Sequence, residues 1–332
     1  MSKRSTRPWH AAAPRWLAAA VMATCPAGFA AAAGLPMPDH VVVVIEENKP
    51  YSSIIGNTVD AAYINSLALR GAVMSNSYGT DGSSQPNYLQ LFSGANQGVV
   101  DNTTPQSFST PNLRSALAAR GLSFSGYSES LPFAGYTGSS ATTLPGQNQY
   151  VRKHNPWVNW QGAASNAVPA AETLPFSSFP ADFSSLPTVS FVVPNEQNNM
   201  HDGSIAAGDN WLLQNIDAYV TWAQTHNSLL ILTWDEDDGQ HGNHIMTLLV
   251  GPMVLPGFYP QAINHLNVLR TIEEMYGLAY VGNSAGVSAI SGALVTSAVA
   301  EPSALSLWTG GGLCLWALGR RRAQRHDRLA SS

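Results

Sequence analysis

Three short polar clusters in this chain each follow an apolar, β-branched run. Glu46-Glu47-Asn48 closes the run His40–Ile45, Asp235-Glu236-Asp237-Asp238 follows Leu229–Thr233, and Pro194-Asn195, with His201 and Asp202 close behind, follows Thr188–Val193. Runs of this composition read as buried strands. In open α/β sheets ligands bind at the carboxyl ends of parallel strands, so three such strands side by side would bring the clusters to one rim. Carboxylates gathered there repel one another, and a divalent cation supplies the charge that keeps them ionised. Asp, Glu and Asn oxygens are hard ligands that suit Mg²⁺, Ca²⁺ or Mn²⁺ better than a thiolate-seeking metal. Asp235 and Glu236, directly behind a strand, are the candidates in the second cluster. Asp237 and Asp238 read as a solvated acidic turn, and Glu46, one residue out of phase with Glu47, reads as facing away.

A nucleophile is offered by Gly82-Ser83-Ser84-Gln85-Pro86-Asn87-Tyr88, which joins a strand to a helix. Pro86 fits a first helical turn, where its missing N–H costs nothing. Ser84 then lies close to the N-cap, where free N–H groups and the helix dipole favour anions. A metal-activated hydroxyl there could attack phosphorus, with the same N–H groups holding phosphoryl oxygens. An ordinary N-cap serine is the alternative.

The elements that must position these groups alternate between strand and helix patterns, which predicts an α/β fold with a largely parallel sheet covered on both faces. Strands are expected over His40–Ile45, Ala72–Ser77, Leu122–Gly126, Thr188–Val193, Leu229–Thr233 and Ile245–Val250. Helices are expected over Asp60–Leu69, Pro86–Phe92, Asn112–Arg120, Asp209–His226 and Asn264–Tyr276, several stopped by glycine. The segment Glu129–Pro187, rich in Ser, Thr, Pro, Gly and aromatics, reads as loops over the active-site end. Its Trp157 and Trp160 could line a lipid-facing pocket or belong to the core.

Both ends of the chain read as signals. Lys3, Arg4, Arg7 and Arg15 precede an apolar stretch and Ala30-Ala31-Ala32-Ala33, the order of a secretory signal peptide over residues 1–34. The segment 299–332 holds Ala300-Glu301-Pro302-Ser303, an apolar run from Ala304 to Leu318 and Arg320-Arg321-Arg322, a hydrophobic span with its basic side inward. This order resembles the PEP-CTERM sorting tag, which implies a processing protease and an outer-surface or exopolysaccharide destination; a permanent C-terminal anchor is the alternative. The protein is expected to be exported to periplasm, outer surface or medium. Between Leu35 and Ala300 seven Lys and Arg face nineteen Asp and Glu, a net charge of −12. Such a domain is a poor binder of nucleic acid. Both cysteines, Cys25 and Cys314, lie in the end segments.

The clusters together resemble a bacterial phosphoesterase family that holds acid phosphatases and phosphatidylcholine-type phospholipases C, within the alkaline phosphatase superfamily. The matching segments are Val-Ile-Glu-Glu-Asn-Lys-Pro-Tyr at 44–51, Ser-Gln-Pro-Asn-Tyr-Leu-Gln-Leu-Phe-Ser-Gly at 84–94, Pro-Asn-Glu-Gln-Asn-Asn-Met-His-Asp-Gly at 194–203, Gly-Asp-Asn-Trp-Leu at 208–212, Thr-Trp-Asp-Glu-Asp-Asp at 233–238 and Arg-Thr-Ile-Glu-Glu-Met-Tyr-Gly-Leu at 270–278. The resemblance implies an alkaline-phosphatase-like single domain over 35–298 with one catalytic metal held by Glu47, Asn48, Asp235 and Glu236. It implies Ser84 as nucleophile through a phosphoserine, His201 and His154 as catalytic histidines, and Asn87 and His244 as substrate contacts. The chain departs from many relatives where Gly82-Ser83 replaces His-Pro before the nucleophile, and where Lys49 replaces an arginine. The implied activity is metal-dependent phosphomonoester hydrolysis, with a phospholipase C-type diesterase as the second reading. A non-catalytic polysaccharide-binding surface protein is a third, opposed by the intact Ser84 and ligand set.

Overall fold

The computed structural model describes residues 34–142, 149–162 and 165–295. The signal segment and the C-terminal tail read from the sequence lie outside the described residues, except for Gly34. In chain order the elements are β1 (His40–Glu46), α1 (Tyr51–Ile54), α2 (Ala62–Ala68), β2 (Ala72–Tyr78), α3 (Ser84–Ser93), α4 (Leu113–Ala118), β3 (Phe124–Ser128), β4 (Ser140–Ala141), β5 (Tyr150–Val151), β6 (Thr173–Pro175), β7 (Val189–Val193), α5 (Ile205–Asn215), α6 (Asp217–Ala223), β8 (Ser228–Trp234), β9 (His244–Val250), β10 (Gly257–Asn264) and α7 (His265–Met275). Eight strands form one sheet in the order β10-β2-β9-β8-β1-β7-β3-β6, while β4 and β5 make a separate ribbon. The pairings of β1 with β7 and β8, of β3 with β6 and β7, and of β2 with β10 are parallel; β9 runs against both its neighbours.

Strand β1 shows why the sheet is covered twice. Its successive valines point to opposite faces. Val41, Val43 and Ile45 join the apolar layer built with α3, α4 and α7, and Val42 and Val44 join the layer built with α2, α5 and α6. All five are fully buried. The expected helix Asp209–His226 is two helices, bent at Ile216, whose φ of −116 departs from helical geometry. Its expected inner face of Trp211, Leu212, Ile216, Tyr219, Val220 and Ala223 is buried.

The segment Glu129–Pro187 brings His154 and Lys153 to the acidic rim and also feeds the core. Trp157 and Trp160 are fully buried in the first layer, against Phe92, Phe124 and Phe191. Trp157 packs so closely on β3 that a Cβ at Gly126 would lie 2.0 Å from its ring. The rings therefore belong to the core and line no lipid pocket.

Candidate active site

The central order β8-β1-β7 puts the ends of three parallel strands side by side. The Asp235 N–H donates to the Glu46 carbonyl (3.0 Å), and the Glu47 N–H to the Asn199 carbonyl (2.8 Å), so the three clusters are stitched together by backbone. Glu46 turns to the far side: burial first, then the nearby Glu129 and Asp209, raise its carboxyl well above the usual range. Glu47 turns to the other side, toward α3.

Ser84 is the first residue of α3, with Ser83 as its N-cap. Its Oγ lies 3.2 Å from Glu236 Oε1 and 3.4 Å from Glu47 Oε2. Asn48 donates its backbone N–H to Asp235 Oδ1 (3.2 Å) and its Nδ2 to Glu236 Oε1 (3.3 Å). Its φ of 48 lies in the left-handed region, which asparagine tolerates better than most residues. Tyr88, one turn on from Ser84, donates its hydroxyl to Glu47.

Burial and mutual repulsion set the charge state of these carboxyls. Burial and then Asp235 raise Glu47 well above the usual range. Burial pushes Asp235 up to about 6, and burial with the charge of Asp235 pushes Glu236 up to about 7. Asn48 Oδ1 and Asp235 Oδ2 are buried with no hydrogen-bond partner. Two orphaned oxygens beside three buried carboxyls suit a hard divalent cation, so the donor chemistry of Glu47, Asn48, Asp235 and Glu236 fits the implied ion, although the acid and histidine groups whose ligand atoms converge within 4.8 Å among the described residues are Glu196, His201 and Asp202, and Asp237, Asp238 and His241.

The histidines form a second layer. The buried His154 ring stacks on Tyr88 and bridges Glu47 Oε1 (3.3 Å from Nε2) and Glu196 Oε1 (2.9 Å from Nδ1). Burial pushes His154 down to about 4. Neither ring nitrogen meets hydrogen-bond geometry, so these are close polar contacts, and the nearby His154 ring, against the upward push of burial, holds the Glu196 carboxyl below its usual range. His201 Nδ1 lies 2.8 Å from Asp202 and 3.4 Å from Glu196, and its Nε2 lies 3.4 Å from Lys153 Nζ. Glu196 joins both histidines and was missed by sequence reasoning, although it sits inside the matched segment 194–203.

Two residues assigned to substrate do other work. Asn87 is fully buried. Its Oδ1 accepts from Thr80 and Asp81, and its Nδ2 donates to the Asp81 and Ser83 carbonyls, so it holds the loop before Ser84. His244 is stacked between Tyr51 and Tyr78, with Nε2 3.1 Å from the Ser75 carbonyl. None of these contacts is with the carboxylate group. Of the N–H groups at the start of α3, that of Gln85 is taken by Asn102 Oδ1 (2.9 Å).

Asp237 corrects the reading of a solvated turn. It is buried, and its carboxylate accepts the N–H groups of Gly239, His241 and Asn243. It therefore shapes the loop on one wall of the cleft. Asp238 is exposed and bonds His241. The cleft has a volume of about 650 Å³, and Lys49, His201, Glu236 and Asn243 are among its lining.

A model of the Phosphoesterase family matches residues 57–279. The chain belongs to this family. It is a hydrolase of phosphoric esters with an alkaline phosphatase superfamily fold. A phosphatidylinositol-3-phosphatase of Mycobacterium tuberculosis is 48% identical over 255 residues, 76% of this chain and 81% of that protein. A phosphate-repressible acid phosphatase of Penicillium chrysogenum is 31% identical over 230 residues, covering 66% of this chain but only 55% of the fungal protein. The fold resembles that of an alkaline phosphatase superfamily protein from Vibrio parahaemolyticus, with a TM-score of 0.50 at 11% identity, over 77% of this chain and 73% of that one.

Proposed function

We propose that this protein is an exported, metal-dependent phosphomonoesterase that works through a phosphoserine at Ser84. The observation that carries the reading is the place of the Ser84 hydroxyl, within hydrogen-bonding distance of Glu236 and Glu47 beside two orphaned ligand oxygens. The relatives named as phosphatases support a monoester over a diester. A bound divalent ion would lower the pKa of the Ser84 hydroxyl and offset charge on the phosphoryl oxygens.

The chain's own residues do the rest. Glu236 Oε1 accepts the Ser84 proton as Oγ forms its bond to phosphorus and the ester oxygen departs. His201 faces Asp202 with Nδ1 and Lys153 with Nε2, and is the group placed to protonate the leaving oxygen. Glu196 and Glu47 flank the His154 ring, and the Tyr88 hydroxyl orients Glu47. Water then cleaves the phosphoserine, releasing phosphate and restoring the hydroxyl.

The test is p-nitrophenyl phosphate hydrolysis by the 35–300 fragment with and without EDTA, beside Ser84→Ala, with p-nitrophenyl phosphorylcholine in parallel. Metal-dependent monoester turnover that vanishes in Ser84→Ala is expected. Turnover of the choline diester alone would replace the reading with a phospholipase C-type activity.

A further inference from the structure

The cleft lies at the carboxyl end of the parallel strands, and the opposite pole carries a different surface. There the described chain both enters and leaves. Pro36 and Val295 line one depression of about 410 Å³ together with Asn227 and Met253. Asn227 Nδ2 donates to the Met37 carbonyl (3.1 Å), the Val295 N–H to the Met253 carbonyl (2.8 Å), and the Leu255 N–H to the Ala293 carbonyl (2.9 Å). The Gly257 N–H reaches the Gly71 carbonyl (3.0 Å) and ties in the start of β2. Around this pole Met37, Leu69, Leu255, Phe258 and Val295 are exposed, a gathering of large apolar side chains that water does not favour. Strand β1, seven residues long, separates this pole from the catalytic rim by roughly 20 Å.

The sequence beyond Val295 says what could cover it. Eight residues, 296–303, separate Val295 from the apolar run Ala304–Leu318 with Arg320-Arg321-Arg322 behind it. We propose that the apolar pole is the face the domain rests on a lipid bilayer when the C-terminal run is inserted, so that the cleft is held outward. The anchored chain then hydrolyses phosphate esters presented from beyond its own bilayer and does not reach the lipids that hold it. This rests on the phosphatase reading and on the reading of the tail as a membrane-inserting segment.

Chain length enforces the orientation. Eight residues span at most about 29 Å. A domain of this size has a radius of gyration of about 18 Å, hence roughly 70 Å around from pole to pole. The tether is therefore too short to let the domain turn its cleft onto the bilayer.

The experiment reconstitutes the chain from Leu35 onward, freed of the signal segment, in phosphatidylcholine/phosphatidylglycerol vesicles. Phosphatidylinositol 3-phosphate is placed either in the same vesicles or in separate, protein-free ones. A second form carries a flexible forty-residue Gly/Ser spacer between Val295 and Thr296, whose full reach exceeds the distance around the domain. The spacer is expected to raise same-vesicle hydrolysis at least tenfold, with p-nitrophenyl phosphate turnover unchanged. Equal same-vesicle rates with and without the spacer would overturn the proposal, as would failure of the chain to float with vesicles. Absence of p-nitrophenyl phosphate turnover in both forms would instead sink the phosphatase reading. Orientation then still has its own readout. In a Cys314→Ser background of the same chain, a fluorophore on Leu255→Cys is expected to be quenched by bilayer-borne nitroxide lipid, and one on Gln240→Cys, beside the cleft, is not. The reverse pattern, or equal quenching, overturns the proposal.

Discussion

Replacing Asp235 by asparagine should stabilise the metal-free protein while destroying its response to metal. Asp235 is fully buried and its carboxyl is pushed from an ordinary value of 3.8 to about 6. The folded state therefore holds a proton that the unfolded chain has already released, and stability falls as pH rises through that window. Above pH 6 the full cost of ionising the buried group is present, about 3 kcal/mol from the gap between those two values. Asparagine never ionises, so it escapes this cost. Its new amide end, where Oδ2 had no partner, costs about 1–2 kcal/mol in return. The net expectation at pH 7.5 with EDTA is a gain of about 1–2 kcal/mol, or about 2–8 °C in Tm for a domain of this size. At pH 4 the gain should disappear. With divalent metal at a hundredfold excess over its Kd the wild type gains about 2.7 kcal/mol and the variant does not, so the order reverses. Thermal scans at pH 4, 6 and 7.5, with EDTA or metal, decide it. A metal-free variant less stable than wild type at pH 7.5, or a difference that does not depend on pH, would refute the view that crowded carboxyls await a cation.

Three further outcomes are expected. Glu196→Gln should lower kcat about 10–100-fold with KM little changed and near-UV circular dichroism intact, because it removes the negative charge that lies within 3.4 Å of both His154 and His201. Lys153→Met should raise KM for p-nitrophenyl phosphate about fivefold, an effect that fades at high salt, because it removes a cation beside His201 in a domain of net charge −12. Gly126→Ala should cost about 3 kcal/mol in urea unfolding, since its Cβ would sit 2.0 Å from the Trp157 ring and both are fixed in the core.

The central strands were legible because each is an apolar run ended by acids, and the observed β1, β7 and β8 differ from the expected bounds by a residue or so. The rim they form followed from the rule for parallel strands. Strand β10 was not read: it alternates half-exposed with exposed positions and carries Pro260. It sits at the sheet edge, where a missing N–H is tolerated. The reversed direction of β9 leaves no mark on its own residues. Asp237 looked like a surface acid because a turn that consumes a carboxylate with three backbone N–H groups has the composition of any acidic loop. Glu196 was passed over since its partners, His154 and His201, are distant in sequence from one another. His244 and Asn87 were placed by motif alone, and the contacts they make could not be seen there.

Asn48 answers two independent demands, a left-handed backbone and a side-chain oxygen aimed among the carboxyls. Glycine meets the first and discards the second; glutamine meets the second on a backbone it resists; aspartate meets both but adds a fourth charge to the cluster. A saturation library at this position should therefore return folded but inactive glycine, partly active aspartate and little else. Drift through neutral intermediates is closed here, while Ser83 next to the nucleophile, a cap without a side-chain bond, is free to vary.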